Sequence, residues 1–96
     1  VVEGAGFGVI REFVGHGIGR SLHEDPQIPN YGPPDRGPTM QVGMTFAIEP
    51  MTSMGSYEVR ILKDGWTAIT RDGSLAAHFE HSVALTENGV LILSRL

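Results

Sequence analysis

Gly15-His16-Gly17-Ile18-Gly19-Arg20-Ser21-Leu22-His23-Glu24-Asp25-Pro26 places two histidines seven residues apart, the first between glycines and the second in His-Glu-Asp-Pro. Two carboxylates follow in apolar settings. Glu49 stands in Thr45-Phe46-Ala47-Ile48-Glu49-Pro50-Met51, and Glu80 in His78-Phe79-Glu80-His81-Ser82. A carboxylate in a hydrophobic run is costly unless something pairs with it. A divalent metal is one economical partner for a histidine and two glutamates. Arg60, as a salt-bridge partner at the edge of a core, is the plainer alternative.

Around these motifs the pattern is one of strands. Phe7 to Val14 is apolar and β-branched and runs into a Gly15–Gly19 loop. Glu24 to Pro38 holds five of the six prolines and reads as a long irregular connection. Met44 to Thr52 reads as one strand, with Phe46 and Ile48 on one face and Thr45, Ala47 and Glu49 on the other. The small neighbours leave space beside Glu49. Tyr57 to Leu62 and Thr67 to Thr70 form a hairpin about Asp64-Gly65, and Arg71 to Ser74 turns again. Ala77 to Thr86 reads as one strand, with His78, Glu80, Ser82 and Ala84 opposite Phe79, His81, Val83 and Leu85. Asn88-Gly89 signals a type I′ turn into Val90–Leu93. Helix is expected at the N-terminal edge, with a short one between Arg71 and Ala77 as an option.

Composition narrows the function classes. The chain has 96 residues, 41% of them hydrophobic and 19% charged, which suits one modest core and not a disordered tail. A net charge of −4 argues against a nucleic-acid footprint. With no cysteine there is no disulfide framework or thiolate zinc site. No apolar run approaches a membrane span. The glycine runs lack the G-x-G-x-x-G spacing of a nucleotide loop. The opening Val1-Val2-Glu3-Gly4-Ala5-Gly6 does not start with Met and reads as the end of a helix already under way, so a fragment is expected.

The ordered set of motifs resembles the C-terminal half of the type I methionine aminopeptidases. It comprises Gly-His-Gly-Ile-Gly-Arg, His-Glu-Asp-Pro, Gly43-Met44-Thr45-Phe46-Ala47-Ile48-Glu49-Pro50-Met51, Asp64-Gly65-Trp66-Thr67 and Phe79-Glu80-His81-Ser82. The resemblance spans nearly the whole chain. It implies an α+β pita-bread fold, with residues 1–96 as the C-terminal half of an M24-type catalytic domain, mostly antiparallel β with little helix. It implies a metalloaminopeptidase that removes N-terminal methionine from nascent proteins, with two divalent ions (Co, Mn, Fe, Zn or Ni). His16, Glu49 and Glu80 match metal ligands, Glu80 at the bridging position and Glu49 as general base. His23 matches a catalytic histidine that contacts the substrate. Leu22 and Trp66 match walls of the methionine pocket, although an aromatic residue is commoner where Leu22 stands, and Trp66 reads equally well as core.

The family's two aspartate ligands and its other substrate histidine lie in the first half and have no counterpart here. His81 falls on the strand face away from Glu80 and reads as a hydrogen-bonded support; His78 reads as structural or substrate-side. The implied partner is a peptide or nascent-protein N-terminus beginning with Met, with the ribosome a further candidate. No nucleic acid or membrane is implied; the location is cytoplasmic and the full-length protein a monomer. The alternatives are an X-Pro aminopeptidase or dipeptidase of the same fold and, for these residues alone, a non-catalytic binding module.

Overall fold

A computed structural model describes residues 1–95. A 3-10 turn at Glu3–Ala5 ends at Gly6, whose φ of +91° suits glycine. Ten strands follow: β1 (Gly8–Val9), β2 (Gly15–Gly17), β3 (Glu24–Ile28), β4 (Thr45–Ile48), β5 (Met51–Ser53), β6 (Val59–Ile61), β7 (Ala68–Thr70), β8 (Ala76–His78), β9 (His81–Thr86) and β10 (Gly89–Ile92). They form an antiparallel five-stranded sheet β10-β9-β4-β2-β3, a three-stranded sheet β1-β5-β8 and the β6-β7 hairpin. No helix among the described residues is long and apolar enough to cross a membrane.

Several elements depart from the sequence expectation. Gly15-His16-Gly17 is a buried inner strand, not a loop. Glycine is usually poor in strands, but here β2 lies so close to its neighbours that nothing larger fits. A Cβ at Gly15 would collide with the Ala47 carbonyl, and one at Gly17 with the Asp25 carbonyl. The proline-rich stretch contributes β3, which sits at the sheet edge, where Pro26 can be accommodated because its missing N–H need not face a partner.

The runs Met44–Thr52 and Ala77–Thr86 are each split in two. β4 and β9 pair in the five-stranded sheet, whereas β5 and β8 pair in the three-stranded one. The breaks fall at Glu49-Pro50 and Phe79-Glu80. The Phe7–Val14 run keeps only two residues of strand. The β9–β10 turn is centred on Glu87-Asn88, since Thr86 pairs with Gly89; Gly89 then supplies the positive φ, +109°. No helix forms between Arg71 and Ala77, where Asp72 instead accepts hydrogen bonds from Ser56, Ser74 and the Ser74 hydroxyl.

The core is small. Val9, Ile10, Phe46, Ala47 and Val83 are its buried apolar residues. The accessible surface is 7352 Å², against about 5,400 Å² expected for a compact chain of this mass. The radius of gyration is 14.7 Å, where a compact domain would give about 12.5 Å. Phe79, Leu75, Met54, Val90 and Leu91 are among the large apolar side chains left exposed.

Candidate metal centre

The site is assembled by register. On β2, His16 lies opposite Ala47 of β4, and Ala47 lies opposite Ser82 of β9. Residues directly opposite in a sheet share a face. Ile48 pairs with His81 and Met51 with His78, so between the two sheets Glu49 stands opposite Glu80, and Pro50 opposite Phe79. The Phe79 N–H donates to the Pro50 carbonyl at 3.1 Å, which holds the two breaks together. One row therefore presents His16, Ala47 and Ser82, and the next presents Glu49 and Glu80. The small middle residues give the histidine and the carboxylates room to converge.

They do converge. Ligand atoms of His16, Glu49 and Glu80 lie within 4.8 Å of one another. His16 is 9% exposed, and its Nε2 is 3.9 Å from a Glu49 carboxylate oxygen. Its Nδ1 is 3.0 Å from the Gly17 carbonyl. A carbonyl can only accept, so Nδ1 carries the proton and donates to it, leaving the Nε2 lone pair facing the carboxylates. This is the tautomer that ligates a metal. Among the described residues, the basic side chain within 4.0 Å of the Glu49 carboxylate is His16, at 3.9 Å, and not Arg60.

Burial pushes the Glu49 carboxyl above its ordinary range, and the charge and hydrogen bond of Glu80 push it further; His16 and His78 act in the opposite direction. Two carboxylates and an imidazole lone pair aimed at one point are a mutually repulsive set of donors. A divalent cation relieves that repulsion, so the residues fit a metal.

The remaining sequence candidates fall at different distances from this cluster. The His23 ring packs on His16, with centroids 4.1 Å apart and planes at 41°. Leu22 precedes it in the β2–β3 loop and is 70% exposed. Trp66 sits at the tip of the β6–β7 hairpin, where Asp64 accepts hydrogen bonds from the Trp66 and Thr67 N–H groups and the Thr67 hydroxyl. It is 81% exposed, so it is not core. His81 is held through Nδ1 by the Ser94 hydroxyl at 3.1 Å and meets the Phe79 ring edge-on, as a supporting residue would. A cavity of about 570 Å³ lies on the other face of β4, against Phe46 and Ile48. Two groups near the cluster escaped sequence reasoning: the Gly17 carbonyl, since backbone carries no residue signal, and Glu24, which reads there only as part of His-Glu-Asp-Pro.

The model of metallopeptidase family M24 matches residues 1–87, and the chain belongs to that family. It is 59% identical over 93 residues to a methionine aminopeptidase of Clostridium perfringens, covering 97% of this chain and 37% of that protein. Methionine aminopeptidase 1 of Bacillus subtilis is 57% identical over 95 residues, covering 99% of this chain and 38% of that one. A crystal structure of methionine aminopeptidase from Thermotoga maritima superposes with a TM-score of 0.95 at 60% identity, again over 99% of this chain and 38% of the other. The chain thus spans less than two-fifths of the length of these relatives. Its architecture is the pita-bread fold, represented by antiparallel sheet with almost no helix.

Proposed function

We propose that these residues are the C-terminal half of an M24-type catalytic domain whose whole protein is a methionine aminopeptidase of nascent chains. The observation that carries this reading is the opposition of Glu49 and Glu80 across the paired strand breaks, with His16 Nε2 turned toward them. The small core and excess surface support the half-domain reading, because these strands bury too little to be self-sufficient.

His16, Glu49 and Glu80 would hold two divalent ions, together with ligands from outside residues 1–96. When bound, the ions supply Lewis acidity that makes water nucleophilic at neutral pH. Glu49, the more buried carboxylate, accepts the proton of the attacking water. Glu80 fixes the spacing of the site. His23 donates to the carbonyl oxygen of the first peptide bond as negative charge develops on it, a contact strongest in the transition state. Leu22 and Trp66 wall an apolar pocket for the methionine side chain. Such a pocket discriminates by only about 1–3 kcal/mol per methylene. The substrate is a peptide or nascent protein with N-terminal Met, which places the enzyme in the cytoplasm, near the ribosome.

The test is release of methionine from Met-Ala peptides by the full-length, Mn²⁺- or Co²⁺-loaded protein. Turnover no faster than buffer, or cleavage of X-Pro peptides in preference, would remove this reading. Calorimetric titration separates the roles. His16→Ala and Glu80→Ala should lose metal and activity together, whereas His23→Ala should keep its metal and turn over slowly.

A further inference from the structure

We propose that Glu24 is a positioning residue that sets His23 against His16; its catalytic consequence rests on the function proposed above. Gly17 pairs with Glu24, but the preceding pair is His16 with Gln27, so the β2–β3 register shifts at this point. The six residues Ile18–His23 must therefore reverse the chain in a short span. Packing holds only the start of this loop: Ile18 is half-buried, whereas residues 19–23 are all exposed, Leu22 by 70%. The Glu24 carboxylate holds the rest. One of its oxygens accepts a hydrogen bond from the Ser21 N–H at 2.7 Å, a charge-assisted bond of good length. The carboxylate also lies flat against Gly19, where any Cβ would collide with it. The Gly19 N–H in turn donates to the Ser21 carbonyl at 3.1 Å.

Glycine at position 19 and glutamate at position 24 are thus one device. The glycine admits the carboxylate, and the carboxylate fixes the backbone two residues before His23. The ring then reaches His16 at 4.1 Å although His23 itself lies on an exposed loop. Glu24 is not among the clustered metal donors, so its effect is on placement alone.

The experiment compares Glu24→Ala and Glu24→Gln in the full-length protein by two readouts. In the metal-free protein, proton NMR reads the contact between the His16 and His23 rings. In the metal-loaded protein, kcat and KM for a Met-Ala peptide are measured, with metal content alongside. Glu24→Ala should lose the inter-ring contact and about tenfold to a hundredfold in kcat, the scale of a misplaced catalytic group, with KM within about twofold and metal content unchanged. Glutamine keeps an acceptor oxygen and should restore the contact and most of the rate. Glu24→Ala with the ring contact intact, or Glu24→Gln as impaired as Glu24→Ala, would overturn the proposal. If the unmodified protein shows no turnover, the function reading fails and the ring contact alone decides the role of Glu24.

Discussion

Replacing Gly15 by alanine adds one methyl group at the most crowded point of the main sheet. Its Cβ would overlap the Ala47 carbonyl oxygen and sit 3.3 Å from the Ile28 carbonyl, so it is caught between the backbones of β4 and β3. Neither obstacle can rotate away, as a side chain could. Forcing β2 outward carries the usual overpacking penalty of about 1–3 kcal/mol. Displacing a ladder hydrogen bond between β2 and β4 adds about 1 kcal/mol. Together these come to about 2–4 kcal/mol, a large part of the roughly 5–15 kcal/mol by which a folded protein is stable. In the full-length protein, that lowers the melting temperature by about 4 °C or more. Thermal unfolding followed by circular dichroism reads it directly. Gly4→Ala is the control, because a Cβ there meets nothing within 4 Å. A Gly15→Ala protein that melts within about 2 °C of the Gly4→Ala one, on that same scale, would refute the reasoning that β2 is glycine-flanked for want of space.

Phe46→Ala empties the centre of β4, where the side chain is 4% exposed; a urea midpoint should report a loss of about 3–5 kcal/mol. Asp72 is held down to about 2, first by the Ser56 N–H and then by the Ser74 hydroxyl and N–H. Its bonds therefore contribute fully above the ordinary aspartate range and are lost as pH falls toward 2; the protection of the Ser56 amide against exchange, taken relative to the intrinsic rate at each pH, should fall over that interval, and Asp72→Ala should remove that protection at every pH. Trp66, the one tryptophan of these 96 residues, should be freely quenched by acrylamide in the isolated 96-residue chain, and become protected when a methionyl peptide binds a full-length protein whose other tryptophans, where it has any, are replaced by phenylalanine. The same isolated chain, with His16, Glu49 and Glu80 the only clustered donors among the described residues, should bind Mn²⁺ weakly and release no methionine; two tightly held ions by calorimetry would contradict this.

The chemistry was more legible in the sequence than the strand boundaries. His16, Glu49 and Glu80 stood out as ionisable groups in apolar or glycine-rich surroundings, and the structure gathers all three. The alternation around Glu49 foretold the space beside it. The two breaks were harder. Pro50 was the available signal for the first, since a proline donates nothing to a ladder and seldom sits inside a central strand. Phe79-Glu80 has no such mark; that strand breaks because its partner does, a property of the pair and not of either segment. Gly15-His16-Gly17 looked like a loop because local propensity disfavours glycine in strands, and tertiary crowding overrides that preference. The turn before Gly89 slipped by one residue for a related reason: a glycine with positive φ can sit within the turn or just after it, and Asn88-Gly89 is compatible with both.

The paired breaks make the metal centre a rivet between two plates. Glu49 and Glu80 stand where the chain crosses between the sheets, from the five-stranded to the three-stranded one at Glu49 and back again at Glu80. A cation gripping both would resist any shear or hinge of one sheet against the other. Occupancy should then be felt well away from the ligands, as slower amide exchange in β1 and β10, the outermost strands of the two sheets on which the rivet acts. Conversely, a contact that tilts the three-stranded sheet, even one on the far side of β1, would loosen the grip on the ion without touching a single donor atom.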